Sequence, residues 1–215
     1  QEHLLDPIAT QAQYGVINCW STNQVTDMSW LFSGAVTFND DITCWNTHSA
    51  TNMHGMFHNT QFNQDISGWD VSKATDMGAM FHGAFDFNQP IGVWDVGSNT
   101  NMQDMLRGTS SFNYDLSAWN VSSVTSMMRT FVSSSFNHDI SSWDVRNVKD
   151  MRIMFLRDRQ FNQNLCAWGD MLVPPVNTIN TFLDTGCIHN TDPLATPDLY
   201  TDPAGPFCTP CGDMI

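Results

Sequence analysis

Phe112-Asn113-Tyr114-Asp115-Leu116-Ser117-Ala118-Trp119-Asn120-Val121, followed by Val124-Thr125-Ser126-Met127 and Phe131, decides the fold, because it recurs with small edits about six times. Trp20, Trp45, Trp69, Trp94, Trp119, Trp143 and Trp168 are spaced 25, 24, 25, 25, 24 and 25 residues apart. Phe-Asn pairs begin at Phe38, Phe62, Phe87, Phe112, Phe136 and Phe161, and Met28, Met53, Met77, Met102, Met127 and Met151 keep the same interval. Three residue types locked to one period mark a stack of equivalent coils, in the period range of leucine-rich and related solenoids.

Within a repeat two shorter patterns alternate. Ile66, Trp69 and Val71, bracketed by Ser, Gly and Asp, predict one short strand. Met77, Met80 and Phe81 follow at i, i+3, i+4 with Thr75 as N-cap, which predicts one or two turns of helix. The expected fold is therefore an α/β repeat solenoid, leucine-rich-repeat-like, of six to seven coils of 24–25 residues. A single coil cannot bury its Trp, Ile, Met and Phe alone, so Trp45, Trp69, Trp94, Trp119, Trp143 and Trp168 are assigned to a core shared between coils. The recurring Asn39, Asn63, Asn88, Asn113, Asn137 and Asn162 are expected to turn inward and satisfy backbone groups at a bend.

The ends differ from the middle. Residues 1–18 match the repeat poorly and read as a lead-in cap or arm; the solenoid spans 19–186; residues 187–215 form a Pro-, Thr- and Asp-rich, Cys-containing cap or strap. The chain carries 8 Lys+Arg against 22 Asp+Glu, a net charge of −14. Phosphate backbones and anionic membrane surfaces are disfavoured partners. No apolar run reaches the roughly 20 residues of a bilayer span. Six Cys and few Lys fit an oxidising, extracellular setting, and the chain reads as a mature form whose leader was removed.

Phe-Asn-Gln-Asp-Ile-Ser-Gly-Trp-Asp-Val-Ser (62–72), with Ala74-Thr75-Asp76-Met77 and Met80-Phe81, resembles the repeat of about 25 residues called DUF285, the mycoplasma lipoprotein-type repeat. The resemblance covers about residues 19–185, and extends to the BspA-like leucine-rich repeats of microbial surface proteins. It implies a cell-surface or secreted protein with adhesion or structural roles and no catalytic residues to transfer. The chain departs from the pattern at Pro90, in place of Asp, and at Leu106, in place of Phe.

Cys19 and Cys44 directly precede the Trp of adjacent coils, where equivalent positions lie about 5 Å apart, and are expected to form a disulfide. Cys166, Cys187, Cys208 and Cys211 allow three pairings, of which Cys166–Cys187 with Cys208–Cys211 is the expectation. One Cys-x-x-Cys without a second close pair is a weak zinc signal. His54 and His58 at i, i+4, with His82 one coil on, are weighed as a metal site and read as solvated. The Asp40-Asp41 pair, Asp65, Asp115 and Asp139 read as turn and cap acids rather than a calcium ladder. Asn120-Val121-Ser122 is the one glycosylation sequon. No catalytic or cofactor-binding motif is present, and neither enzymatic activity nor a cofactor is expected.

Residues 1–72 hold seven acids and no Lys or Arg, whereas six of the eight bases lie between Arg129 and Arg159. In a stack, sequence position is height, so the charges describe a dipolar rod, with Asp40 and Asp41 toward one end and Arg152, Arg157 and Arg159 toward the other. Heterologous contacts of that kind do not close and give filaments. The expectation is a structural subunit that joins head to tail into a filament or coat. The alternative is a monomeric surface adhesion module that binds protein or glycan on one face.

Overall fold

The computed structural model describes residues 15–172, 175–189 and 207–209. Seven coils stack along one axis, joined by isolated parallel bridges from Asp27 through Asn52, Asp76, Asn101, Ser126 and Asp150 to Asn177. The α/β expectation is wrong. Among the described residues there is no α-helix and no multi-residue strand, only three short 3-10 turns at Ile17–Cys19, Ile91–Val93 and Cys166–Trp168.

The segment read as helix is a chain of overlapping turns. In the first coil the amides of Leu31, Ser33 and Ala35 donate to the carbonyls of Met28, Trp30 and Phe32, each three residues back. The alternate amides leave the coil: Met28, Trp30, Phe32 and Gly34 donate to Asn52, His54, Met56 and His58 of the second coil. A helix would spend those amides internally, whereas stacking spends half of them between coils. The geometry requires left-handed backbone at two positions per coil. One carries Trp30, Gly55, Ala79, Asp104, Arg129, Ile153 and Asn180; the other carries Gly34, Asn59, Gly83, Gly108, Ser133, Arg157 and Asp184. Left-handed Ile153 is costly for a β-branched residue, so the coil imposes this conformation rather than the side chain choosing it.

The segment read as strand is also a turn. Trp69 N–H donates to Ile66 O, and Asp65 Oδ1 accepts the Ser67 amide just before it. The Ser, Gly and Asp that seemed to bound a strand are the turn itself.

The core assignments hold. The six Trp from Trp45 to Trp168 are buried, and Trp45–Trp69, Trp119–Trp143 and Trp143–Trp168 stack at 6.3–6.4 Å. Paired Phe rings interleave beside them, as in Phe57–Phe62 at 3.9 Å and Phe81–Phe87 at 3.8 Å. The Asn column faces outward instead of inward. Its side-chain carbonyls accept the next coil's amide, from Asn63 N–H on Asn39 to Asn162 N–H on Asn137. Gln64, Gln89 and Gln163 clamp the same Asn residues from outside. Buried Ile17, just before the first coil, accepts the Trp45 indole N–H through its carbonyl.

Candidate functional site

Along the overlapping-turn segment the inter-coil backbone hydrogen bonds run forward, whereas just before it amides such as Thr51 on Thr26 donate back, so the two edges of the overlapping-turn segment differ in kind. In that segment each coil's alternate amides donate forward, up to Met151, Ile153, Phe155 and Arg157 on Asn177, Ile179, Thr181 and Leu183. The last coil's corresponding amides on Thr178, Phe182 and Asp184 have no acceptor among the described residues. The first coil's carbonyls on Asp27, Ser29, Leu31 and Ser33 likewise have no donor among them. One end presents donors at Thr178, Phe182 and Asp184, and the other presents acceptors at Asp27, Ser29, Leu31 and Ser33. Apolar side chains are also exposed at these ends: Val16, Val25 and Val36 at the first, Ile179, Leu183 and Ile188 at the last. Phe207 plugs the core at the last coil, edge-on to Phe182 and accepting the Leu165 amide.

A second feature lies on the flank. Trp30 crosses Gly55 of the second coil, where a Cβ would fall within the indole. His54 and His58 stand on either side at 4.9 and 5.5 Å between ring centres, and His82 packs on His58 at 4.9 Å. His54 Nδ1 meets Asp76 at 3.1 Å and His58 Nδ1 meets Ser33 Oγ at 3.0 Å. Burial holds the His58 and His82 imidazoles below their usual pKa, so both are neutral at neutral pH. Among the described residues no cluster of His, Cys, Asp or Glu is arranged to hold a metal ion.

The family model described as "Mycoplasma protein of unknown function, DUF285" matches residues 7–109 and 91–185. The chain belongs to the DUF285 family. No curated protein and no solved structure matches it. No helix among the described residues of this DUF285 chain is long and apolar enough to cross a membrane.

The other residues singled out by sequence fall as follows. Asp41, Asp65, Asp115 and Asp139 close turns onto the amides two residues on. Hydrogen bonds from Thr43, Ser67 and Ser117 hold Asp41, Asp65 and Asp115 below the usual carboxylate range. Asp40 stands beside the first of these turns. The basic band is neutralised locally: Arg152 pairs with Asp150 at 2.7 Å and Arg159 with Asp184 at 3.6 Å. Arg157 has no ion-pair partner among the described residues, but the dipolar rod is weaker than the sequence count suggests. Asn120 is exposed, its Oδ1 accepting the Ser122 amide and hydroxyl.

The cysteine pairings need correction. Cys187 bonds Cys208, which rules out both Cys166–Cys187 and Cys208–Cys211. Cys166 is also disulfide-bonded, and Cys211 lies outside the described residues. Cys19 and Cys44 are free and exposed. They share a position on adjacent coils, but a shared position does not by itself bring two sulfurs into bonding geometry.

Sequence reading missed Trp30. It is the eighth Trp and the one that falls off the 24–25-residue interval, which was the available signal.

Proposed function

We propose that the chain is a non-catalytic extracellular structural protein whose copies join head to tail into a filament or coat. The observation that supports this reading is the opposite hydrogen-bonding sense of the two ends. Amides at Thr178, Phe182 and Asp184 without an acceptor among the described residues complement carbonyls at Asp27, Ser29, Leu31 and Ser33 without a donor among them, and exposed apolar side chains flank both sets. Joining two copies continues the same ladder across the junction. Oxidised Cys187 and Cys208 suit an extracellular setting, and exposed Asn120 is positioned to carry glycan outward in that reading.

Light scattering across protein and salt concentrations, with electron microscopy of the same samples, tests the proposal. The expected result is mass that rises with concentration and elongated particles. Because backbone bonds and apolar contacts carry the junction, association persists near 1 M salt, where the Debye length is about 3 Å. A monodisperse monomer at micromolar concentration and low salt overturns the reading.

A further inference from the structure

Seven of the eight Trp fall on the repeat interval. The eighth, Trp30, is 47% exposed. The fold does not need an aromatic ring there. Equivalent positions hold Gly55, Ala79, Asp104, Arg129, Ile153 and Asn180, all left-handed. Trp30 nevertheless has a fitted seat: the next coil supplies Gly55, which leaves room for the indole, and His54 and His58 flank it. One face of the ring is thus held against the protein while the side chain remains about half open to solvent.

The surroundings select what the open face would attract. The first 72 residues contain seven acids and no Lys or Arg. Asp27 and Asp76 lie in the bridge column of the first and third coils, and Asp76 reaches the Trp30 seat through His54. Of the two nearest bases along the chain, Lys73 and Arg107, the second is engaged by Asp104 at 3.2 Å. A Trp face is the best aromatic acceptor for a cation, and negative potential around it reinforces the attraction. An anionic ligand would be repelled.

We propose that Trp30, seated on Gly55 between His54 and His58, is a docking site for a cationic side chain, and that its partner is a basic, arginine-bearing polypeptide. The site lies on the flank, and its ring reaches toward the second coil, away from the first-coil end proposed for self-association. It therefore stands independently of that proposal.

The test uses the full chain and a fluorescently labelled peptide of eight arginines, with its neutral isostere in which citrulline replaces every arginine. Affinities are measured for wild type, Trp30→Ala and Trp30→Phe at matched salt. Trp30→Ala copies Ala79 of the third coil and leaves the net charge unchanged, so a purely electrostatic interaction would not notice it. The proposal expects Trp30→Ala to weaken the arginine peptide by roughly fivefold, Trp30→Phe to fall between, and the citrulline peptide to bind neither protein measurably. Equal affinity of wild type and Trp30→Ala overturns it, because net charge then explains the binding. So does equal binding of the citrulline peptide, or Trp30-dependent binding of a neutral oligosaccharide in place of the arginine peptide.

Discussion

The indole N–H of Trp94 donates to the carbonyl of Ile66 at 3.1 Å, one coil back and 28 residues away. The same bond recurs from Trp45 on Ile17 to Trp168 on Ile140, so each Trp both fills the core and ties its coil to the one before. Trp94→Phe removes the donor and part of the ring. Ile66 O keeps the Trp69 amide, so the carbonyl is not orphaned. The expected loss is about 1–3 kcal/mol, read from chemical denaturation. No measurable loss would show that the indole bond and the extra ring volume are both dispensable.

Asn99 is fully buried, and neither its side-chain oxygen nor its nitrogen has a partner among the described residues. It stands in a column whose other inward members include Ala74, Val124 and Val148. An orphaned buried amide costs about 1–3 kcal/mol. Asn99→Val, which copies Val124 and Val148, should raise the melting temperature. A drop on this substitution would mean that the amide is satisfied in solution.

The coil period, the Trp, Phe and Met core and the turn acids were legible in the sequence because each depends on residue identity at a fixed interval. Backbone conformation within a coil was not. Met77, Met80 and Phe81 have helical spacing, yet overlapping turns with two left-handed residues present the same three side chains inward. A corrective signal existed: Gly34, Gly83 and Gly108 share one coil position with Asn59 and Asp184, residues that tolerate left-handed backbone. The polarity of the ends was not legible at all, because it lies in backbone groups common to every residue. The charge gradient that suggested self-association is largely spent on local pairs such as Arg152–Asp150.

Asp158 has a pKa raised to about 7, chiefly by burial, with Ser134 Oγ at 2.6 Å opposing the rise. The native state therefore holds this proton more tightly than the unfolded chain does. Its contribution to stability is complete below about pH 4 and is lost as pH rises toward about 7. The expected decline is up to about 4 kcal/mol over that interval. Thr60, Thr109 and Thr185 occupy the same coil position and donate to the carbonyl three residues back. Asp158→Thr should flatten this part of the stability–pH profile. An unchanged slope would assign the dependence to another group.

Cys187–Cys208 closes a separation of 21 residues and ties the plug bearing Phe207 to the last coil. Cys187→Ser with Cys208→Ser should cost about 3 kcal/mol on loop-closure grounds. Thiol titration of the unreduced, denatured protein should give reactive groups at Cys19 and Cys44. Peptide mapping that instead joins Cys19 to Cys44 would show that the first two coils pack more closely than described.

Lysine on an exposed edge discourages pairing because stacking another chain would desolvate the charge. Ile179 and Leu183 are exposed members of the last coil, beside the amides of Thr178, Phe182 and Asp184, which have no acceptor among the described residues. Their amides are already used, by Asn177 Oδ1 and Asn180 O, so side-chain replacement leaves the coil's own bonds intact. Ile179→Lys with Leu183→Lys should abolish end-to-end association while preserving the thermal transition of the isolated coil stack. Arginine-peptide binding at Trp30 should survive the same double change, since that ring sits on the opposite coil. Association that persists undiminished in the double variant would place the junction elsewhere and remove the ladder edge as its basis.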